Sequence, residues 1–134
     1  MESPCRKVLL IDDDPYFLKV LSDAFSQSEF VVVTADNGIA GIKSFIDNAP
    51  DVVISDLIMP RMGGVSTCME IKRLAGDRDP VIILLTSMFR GAPHEHEIAE
   101  MGAKVHIPKS TNPLDIVIIV EQLLERHKIL QTSN

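Results

Sequence analysis

Short runs of branched apolar residues, each ending in polar or turn-forming residues, constrain this chain more than any other feature. Residues 7–11 (KVLLI), 30–34 (FVVVT), 51–55 (DVVIS) and 81–85 (VIILL) are four such runs, and 104–107 (KVHI) is a shorter fifth. A run of this length without polar alternation reads as a strand covered on both faces. Helical patterns fill the intervals. Asp14-Pro15 offers an N-cap followed by proline at the first helical position. Phe17, Leu18, Leu21, Ala24 and Phe25 then share one face as far as about Ser26. Asn37-Gly38 opens a second helix with Ile39, Ile42, Phe45 and Ile46 on one face, and Asn48-Ala49-Pro50 ends it. Gly63-Gly64 precedes a third helix at about 65–74, and residues 76–80 form a turn. A weaker helix is expected at about 94–101, stopped by Gly102. Asn112-Pro113 starts a last one, reaching about Lys128.

Five strands alternating with five helices predict right-handed crossovers and a parallel sheet with helices on both faces. The expected class is α/β, a flavodoxin-like doubly wound sheet in the order 2-1-3-4-5. Residues 7–128 would be the domain, with 1–6 and 129–134 as tails. With 134 residues, 46% of them hydrophobic and 24% charged, the chain has the composition of one soluble globular domain. A net charge of −6 argues against direct nucleic-acid binding, which calls for a basic face. No 18-residue apolar span predicts a membrane helix. The first apolar run is cut off by Asp12, Asp13 and Asp14, which is not the pattern of a signal peptide. Cys5 and Cys68 lack CxxC spacing, and reduced thiols in a cytoplasmic protein fit them best.

The residues that follow the strands carry the chemistry. Asp12 and Asp13 follow the first, Asp56 the third, Thr86 and Ser87 the fourth, and Lys109 the fifth. In an open parallel sheet these ends lie on the rim where ligands bind. Three neighbouring carboxylates repel one another, and burial would raise their pKa values. Lys109 would cancel one charge, and a divalent cation the other two. An all-oxygen site with room for water suits Mg²⁺. With charge neutralised there, Asp56 could act as a nucleophile toward a phosphoryl group whose oxygens meet Lys109 and Thr86. The chemistry implied is formation of a labile aspartyl phosphate. Asp14 is assigned to helix capping instead.

With LLIDDDP, ISDLIMP, LLTS and IPKS in this order, residues 7–128 resemble the receiver domain of two-component response regulators. The chemotaxis regulator is the familiar stand-alone example. The resemblance implies that Asp56 accepts phosphate from a phosphohistidine on a sensor kinase. It also implies that Asp13 ligates the metal directly, Asp12 largely through water, and Ile58 through its backbone carbonyl. Thr86 would move toward the phosphoryl group, Lys109 would bind it, and the small Ser87 would leave the acceptor open. The output surface would be the fourth helix, the fifth strand and the last helix, where the apolar Ile118 and Ile119 are expected to meet a partner or a second copy. No turnover of an external substrate is implied.

Several positions depart from the family pattern. Ser110 follows Lys109 where proline is usual, and His106 stands at the aromatic switch position. His106 would make signalling pH-dependent. Gly63 replaces an Asp and would loosen its loop. Ile58 and Met88 flank the acceptor with apolar groups, which predicts slow self-hydrolysis. Gly91 and Pro93 would delay the fourth helix. His94-Glu95-His96-Glu97 has metal-binding residue types, but residues two apart on a helix face different ways. Two other readings stand beside the resemblance. A haloacid-dehalogenase-type phosphatase also uses Asp-x-Asp, although Pro15 replaces its usual next residue and the late acidic pair is missing. A docking or dimerisation module would keep the fold without cycling phosphate.

Overall fold

A computed structural model describes residues 6–59, 62–86 and 105–132. The elements run β1 (Arg6–Ile11), α1 (Pro15–Gln27), β2 (Phe30–Ala35), α2 (Gly38–Asn48), β3 (Val52–Asp56), α3 (Gly64–Ala75), β4 (Val81–Thr86), β5 (Val105–Pro108) and α4 (Pro113–Thr132). A single 3-10 turn, Gly76–Arg78, links α3 to β4. All five strands pair in parallel in the order β2-β1-β3-β4-β5, as expected. Four α-helices are present among the described residues; the segment expected at 94–101, with Gly91, Pro93 and the His94–Glu97 cluster, lies outside them.

The central strands are apolar on both faces because both are covered. Val8, Leu10, Ile54, Ile83 and Leu85 face the layer that carries Leu21, Ala24 and Phe25 of α1 and Ile116, Val117 and Val120 of α4. Leu9, Ile11, Val53, Ile82 and Leu84 face the layer built on Phe45 of α2 and Cys68 and Ile71 of α3. At about 25 cal/mol per Å², burying each of these large side chains contributes roughly 1.5–3 kcal/mol before entropy is counted. Phe25 and Phe30 meet edge to face, their centroids 4.9 Å apart.

Three sequence expectations need correction. The inner face of α2 is Gly38, Gly41 and Phe45, whereas Ile39 and Ile46 are 61% and 59% exposed. Gly41 allows this: a Cβ there would stand 2.5 Å from Cδ1 of Ile11. At Gly41 the helix lies so close to β1 that a hydrogen atom takes the place of a side chain. α4 continues to Thr132 instead of stopping near Lys128, because residues 127–132 (HKILQT) contain neither glycine nor proline. Its buried stripe also begins with Ile116, which the periodicity left out. Ile118 is half exposed on the opposite side, as its place beside Asp115 and Gln122 implied.

Candidate functional site

Three consecutive aspartates leave β1, and local geometry gives them separate environments. The Asp12 N–H donates to the Ala35 carbonyl (3.1 Å), which continues the pairing with β2 and turns the side chain down into the rim. Its carboxylate is buried, and Oδ1 accepts from the Asp14 N–H (2.9 Å). Asp14 caps α1, its Oδ1 accepting from the N–H groups of Tyr16 (3.0 Å) and Phe17 (3.4 Å). Pro15, at the first helical position, has no N–H to satisfy. Between these two anchors Asp13 is exposed.

Asp56 is the last residue of β3 and is 6% exposed. The sheet holds its backbone in register with Leu85, and the next amide, Leu57 N–H, donates to the Leu85 carbonyl (2.9 Å). Behind it, the buried Ser55 hydroxyl donates to the Asp56 carbonyl (3.0 Å). Gly64 packs on that same carbonyl, and a Cβ at position 64 would overlap it. Gly64 N–H also donates to the Leu57 carbonyl (2.9 Å). The Gly63-Gly64 pair, expected to loosen this loop, therefore includes a residue held tightly under the acceptor. Gly63 itself caps α3 with no side-chain hydrogen bond.

Thr86 ends β4, buried, one step past Leu85 and opposite Pro108 of β5. Its carbonyl accepts from the Lys109 N–H (2.7 Å), and the Thr111 N–H returns to the Pro108 carbonyl (3.0 Å). The turn after β5 is thus tied at both ends with Ser110 in it. From that turn Lys109 reaches across the rim. Its Nζ lies 2.8 Å from Asp12 Oδ2, 3.5 Å from Asp56 Oδ2 and 4.7 Å from the centroid of the Phe17 ring.

Charge and burial compete here. Burial pushes the Asp56 carboxyl above its usual range, and the neighbouring Asp12 charge adds to the rise. Lys109 and the Ile58 backbone amide, which hydrogen-bonds the carboxylate, offset part of it. For Lys109, burial works to lower the pKa, but Asp12 and Asp56 together outweigh it and raise the ammonium above its usual value. The amine is therefore charged throughout the physiological range.

Asp12, Asp13 and Asp56 present carboxylate oxygens that all lie within 4.8 Å of one another. Asp12 Oδ2 is shut off from solvent and takes no hydrogen bond of good geometry, despite its short ion pair with Lys109. A buried anionic oxygen with spare acceptor capacity fits a hard cation. Ile58 follows two residues after Asp56 with its side chain 73% exposed. His106 lies half-buried on β5 opposite Leu84. Ser87 and Met88 lie outside the described residues.

Phe17 and Gly64 escaped the sequence reading as site residues. Helical Cα–Cβ bonds tilt toward the N-terminus, so a large residue in the first turn of α1 leans over the strand ends. That direction is the signal that could have placed Phe17 at the rim. For Gly64 nothing in the sequence distinguishes a closely packed glycine from a flexible one.

A doubly wound parallel sheet with an acidic cluster and a lysine at its carboxyl rim is an α/β domain with a charged site at its strand ends. Residues 8–121 match the response regulator receiver domain family, and the chain belongs to it. Among curated proteins it is 33% identical over 121 residues to a probable transcriptional regulator, ycf27, of Guillardia theta. That match covers 90% of this chain and 46% of the relative. It is 36% identical over 132 residues to protein-glutamate methylesterase/protein-glutamine glutaminase 1 of Oleidesulfovibrio alaskensis, covering 92% of this chain and 34% of that protein. The chain therefore spans less than half of either relative. Among solved structures, a response regulator receiver domain protein from Clostridium thermocellum superposes with a TM-score of 0.81 at 28% identity. It covers 93% of this chain and 98% of its own. The chemotaxis protein CheY4 of Vibrio cholerae shares the fold, with a TM-score of 0.81 at 24% identity over 88% of this chain and 98% of its own. No helix among the described residues is long and apolar enough to cross a membrane.

Proposed function

We propose that Asp56 accepts a phosphoryl group and that the resulting aspartyl phosphate switches a protein-binding surface. One observation carries this reading: a strand-terminal carboxylate, largely shielded from solvent, has an ammonium 3.5 Å away and two further carboxylates beside it. A metal triad alone would have no use for the amine, and an ordinary ion pair would have no use for three acids.

Asp12, Asp13 and Asp56, with the Ile58 carbonyl, would hold Mg²⁺. The ion would neutralise charge on the acids and on the incoming group. The chain's own groups do the rest. An Asp56 carboxylate oxygen attacks phosphorus in line with the departing nitrogen of a phosphohistidine; the P–O bond forms as the P–N bond breaks. The imidazole leaves with the bonding pair and takes a proton. Lys109 stabilises the transferred oxygens, Thr86 donates its hydroxyl to one of them, and Ser87 leaves room for the donor. The donor is a sensor histidine kinase or phosphotransfer protein, in the cytoplasm. The readout is a downstream protein, a joined output domain or a second copy meeting β5, His106, α4 and the segment 94–101, within a unit spanning residues 7–128. The exposed Ile58 side chain cannot position a water, so the phosphoryl adduct should decay slowly. A half-life of seconds would contradict that.

The test is incubation with Mg²⁺ and acetyl phosphate, followed by intact-mass measurement. One added phosphoryl group, lost on chelation of the metal and absent from Asp56→Asn, supports the reading. An unmodified wild type would instead support a docking module that does not cycle phosphate.

A further inference from the structure

The geometry points to Phe17 as a positioning residue. Its ring face holds the Lys109 ammonium in place as that charge passes from Asp12 to a phosphoryl group on Asp56. This rests on the phospho-acceptor reading of Asp56.

Lys109 Nζ lies 4.7 Å from the ring centroid, inside the roughly 6 Å over which an aromatic quadrupole attracts a cation. The Lys109 side chain is only 20% exposed, so water does little to dilute the attraction. The ring completes a three-sided cradle whose other sides are Asp12 Oδ2 at 2.8 Å and Asp56 Oδ2 at 3.5 Å.

The ring is held in place by the same turn that builds the acid site. Asp12 Oδ1 accepts from the Asp14 N–H, and Asp14 Oδ1 accepts from the Phe17 N–H. The acid that pairs with Lys109 and the ring that faces it are thus fixed to each other through two hydrogen bonds. Phe17 also packs on the edge of the core, but only partly buried, whereas Leu21, Ala24 and Phe25 of the same helix are fully inside. Core filling accounts for those three and leaves one face of Phe17 to the lysine.

The chemistry favours a ring over a polar partner. A hydrogen-bond acceptor at this position would fix the ammonium in one direction and compete with the phosphoryl oxygens. A ring face attracts the charge without directing its N–H groups. The amine can therefore release Asp12 and turn toward Asp56 without returning to water. A leucine could fill the same space but carries no quadrupole.

The test is a graded one. Phenylalanines carrying one, two and three ring fluorines, placed only at position 17, keep the shape while draining negative potential from the ring face. Phosphorylation by acetyl phosphate with Mg²⁺ is timed by intact mass. Without any phosphoryl donor, exchange of the Lys109 amino protons is followed by ¹⁵N NMR. The phosphorylation rate should fall stepwise with fluorination and drop roughly 3- to 10-fold in Phe17→Leu. Phe17→Tyr should stay near wild type, and Lys109 proton exchange should quicken in the leucine variant. Equal rates across the series, with unchanged Lys109 exchange, would overturn the inference. If the wild type takes no phosphoryl group, the Asp56 reading fails instead. The exchange measurement then still decides the contact: faster exchange in Phe17→Leu supports it, and equal exchange overturns it.

Discussion

The two helical layers meet the sheet by different means. On the α1/α4 side, large side chains fill the gap: Leu21, Phe25, Ile116 and Val120 against Val8, Leu10, Ile54 and Ile83. On the α2/α3 side, backbone does part of that work, with Gly41 against Ile11 and Gly64 against the Asp56 carbonyl. Periodicity reports side chains, so it places the buried face of α1 well and misreads that of α2, where a glycine makes the closest approach. Where glycine stands at the closest approach of a helix to the sheet, apolar residues beside it can be left outside: Phe45 is buried, whereas Ile39 and Ile46 are exposed. The candidate site lies where the layers meet. The α1 side gives it a turn and a ring; the α3 side gives it a closely packed peptide beneath the acceptor.

Phe25→Ala should cost about 3–5 kcal/mol in urea denaturation, since it empties a fully buried position between α1 and the sheet. Gly41→Ala adds only a methyl group, yet it should cost roughly 1–3 kcal/mol, because its Cβ would press on a buried isoleucine. Shortening that neighbour should relieve the overlap. Ile11→Val removes the atom nearest the new Cβ, so the double variant should lose less than the sum of the two single losses, by a double-mutant cycle. If the losses simply add, close approach is not what excludes a side chain from α2.

A smaller effect lies at the rim. Because burial and Asp12 raise the Asp56 pKa, the folded state holds this proton more tightly than the unfolded chain does. The stability this provides is complete below the usual carboxylate range and is lost as pH rises through the raised value. Without divalent cation, Asp56→Asn should therefore be more stable than wild type at pH 7. With solvent screening at the rim, the gain should be smaller than the loss from either packing change. It should shrink as pH falls toward 3, and added Mg²⁺ should narrow it at pH 7. Chemical denaturation across pH measures it, and a less stable Asn variant at pH 7 would oppose the assigned sign. The smallest effect should come from Ile39→Thr and Ile46→Thr, each within about 0.5 kcal/mol of wild type, as exposed positions.

Much of this molecule was legible in its residues. Buried strands announce themselves as runs such as VIILL, and their order follows from alternation with helices. The acids and Lys109 could be gathered at one rim because each ends a strand or follows it closely. Interactions with no sequence period were hidden. The Asp12–Lys109 pair depends on how far a lysine reaches across two strands. The Phe17 contact depends on the tilt of a side chain in a first helical turn. Gly64 is set apart only by what surrounds it. The three aspartates show the same division. Their charge was plain, but the backbone determines that Asp12 is buried, Asp13 exposed and Asp14 a cap.

On the proposed function, Asp56 and no other acid of the cluster receives the phosphoryl group. Borohydride reduces an aspartyl phosphate to homoserine, so treatment of phosphorylated protein followed by peptide mass mapping locates the acceptor. Homoserine is expected at position 56 and aspartate at 12 and 13. Homoserine at position 12 or 13, with Asp56 intact, would contradict that assignment.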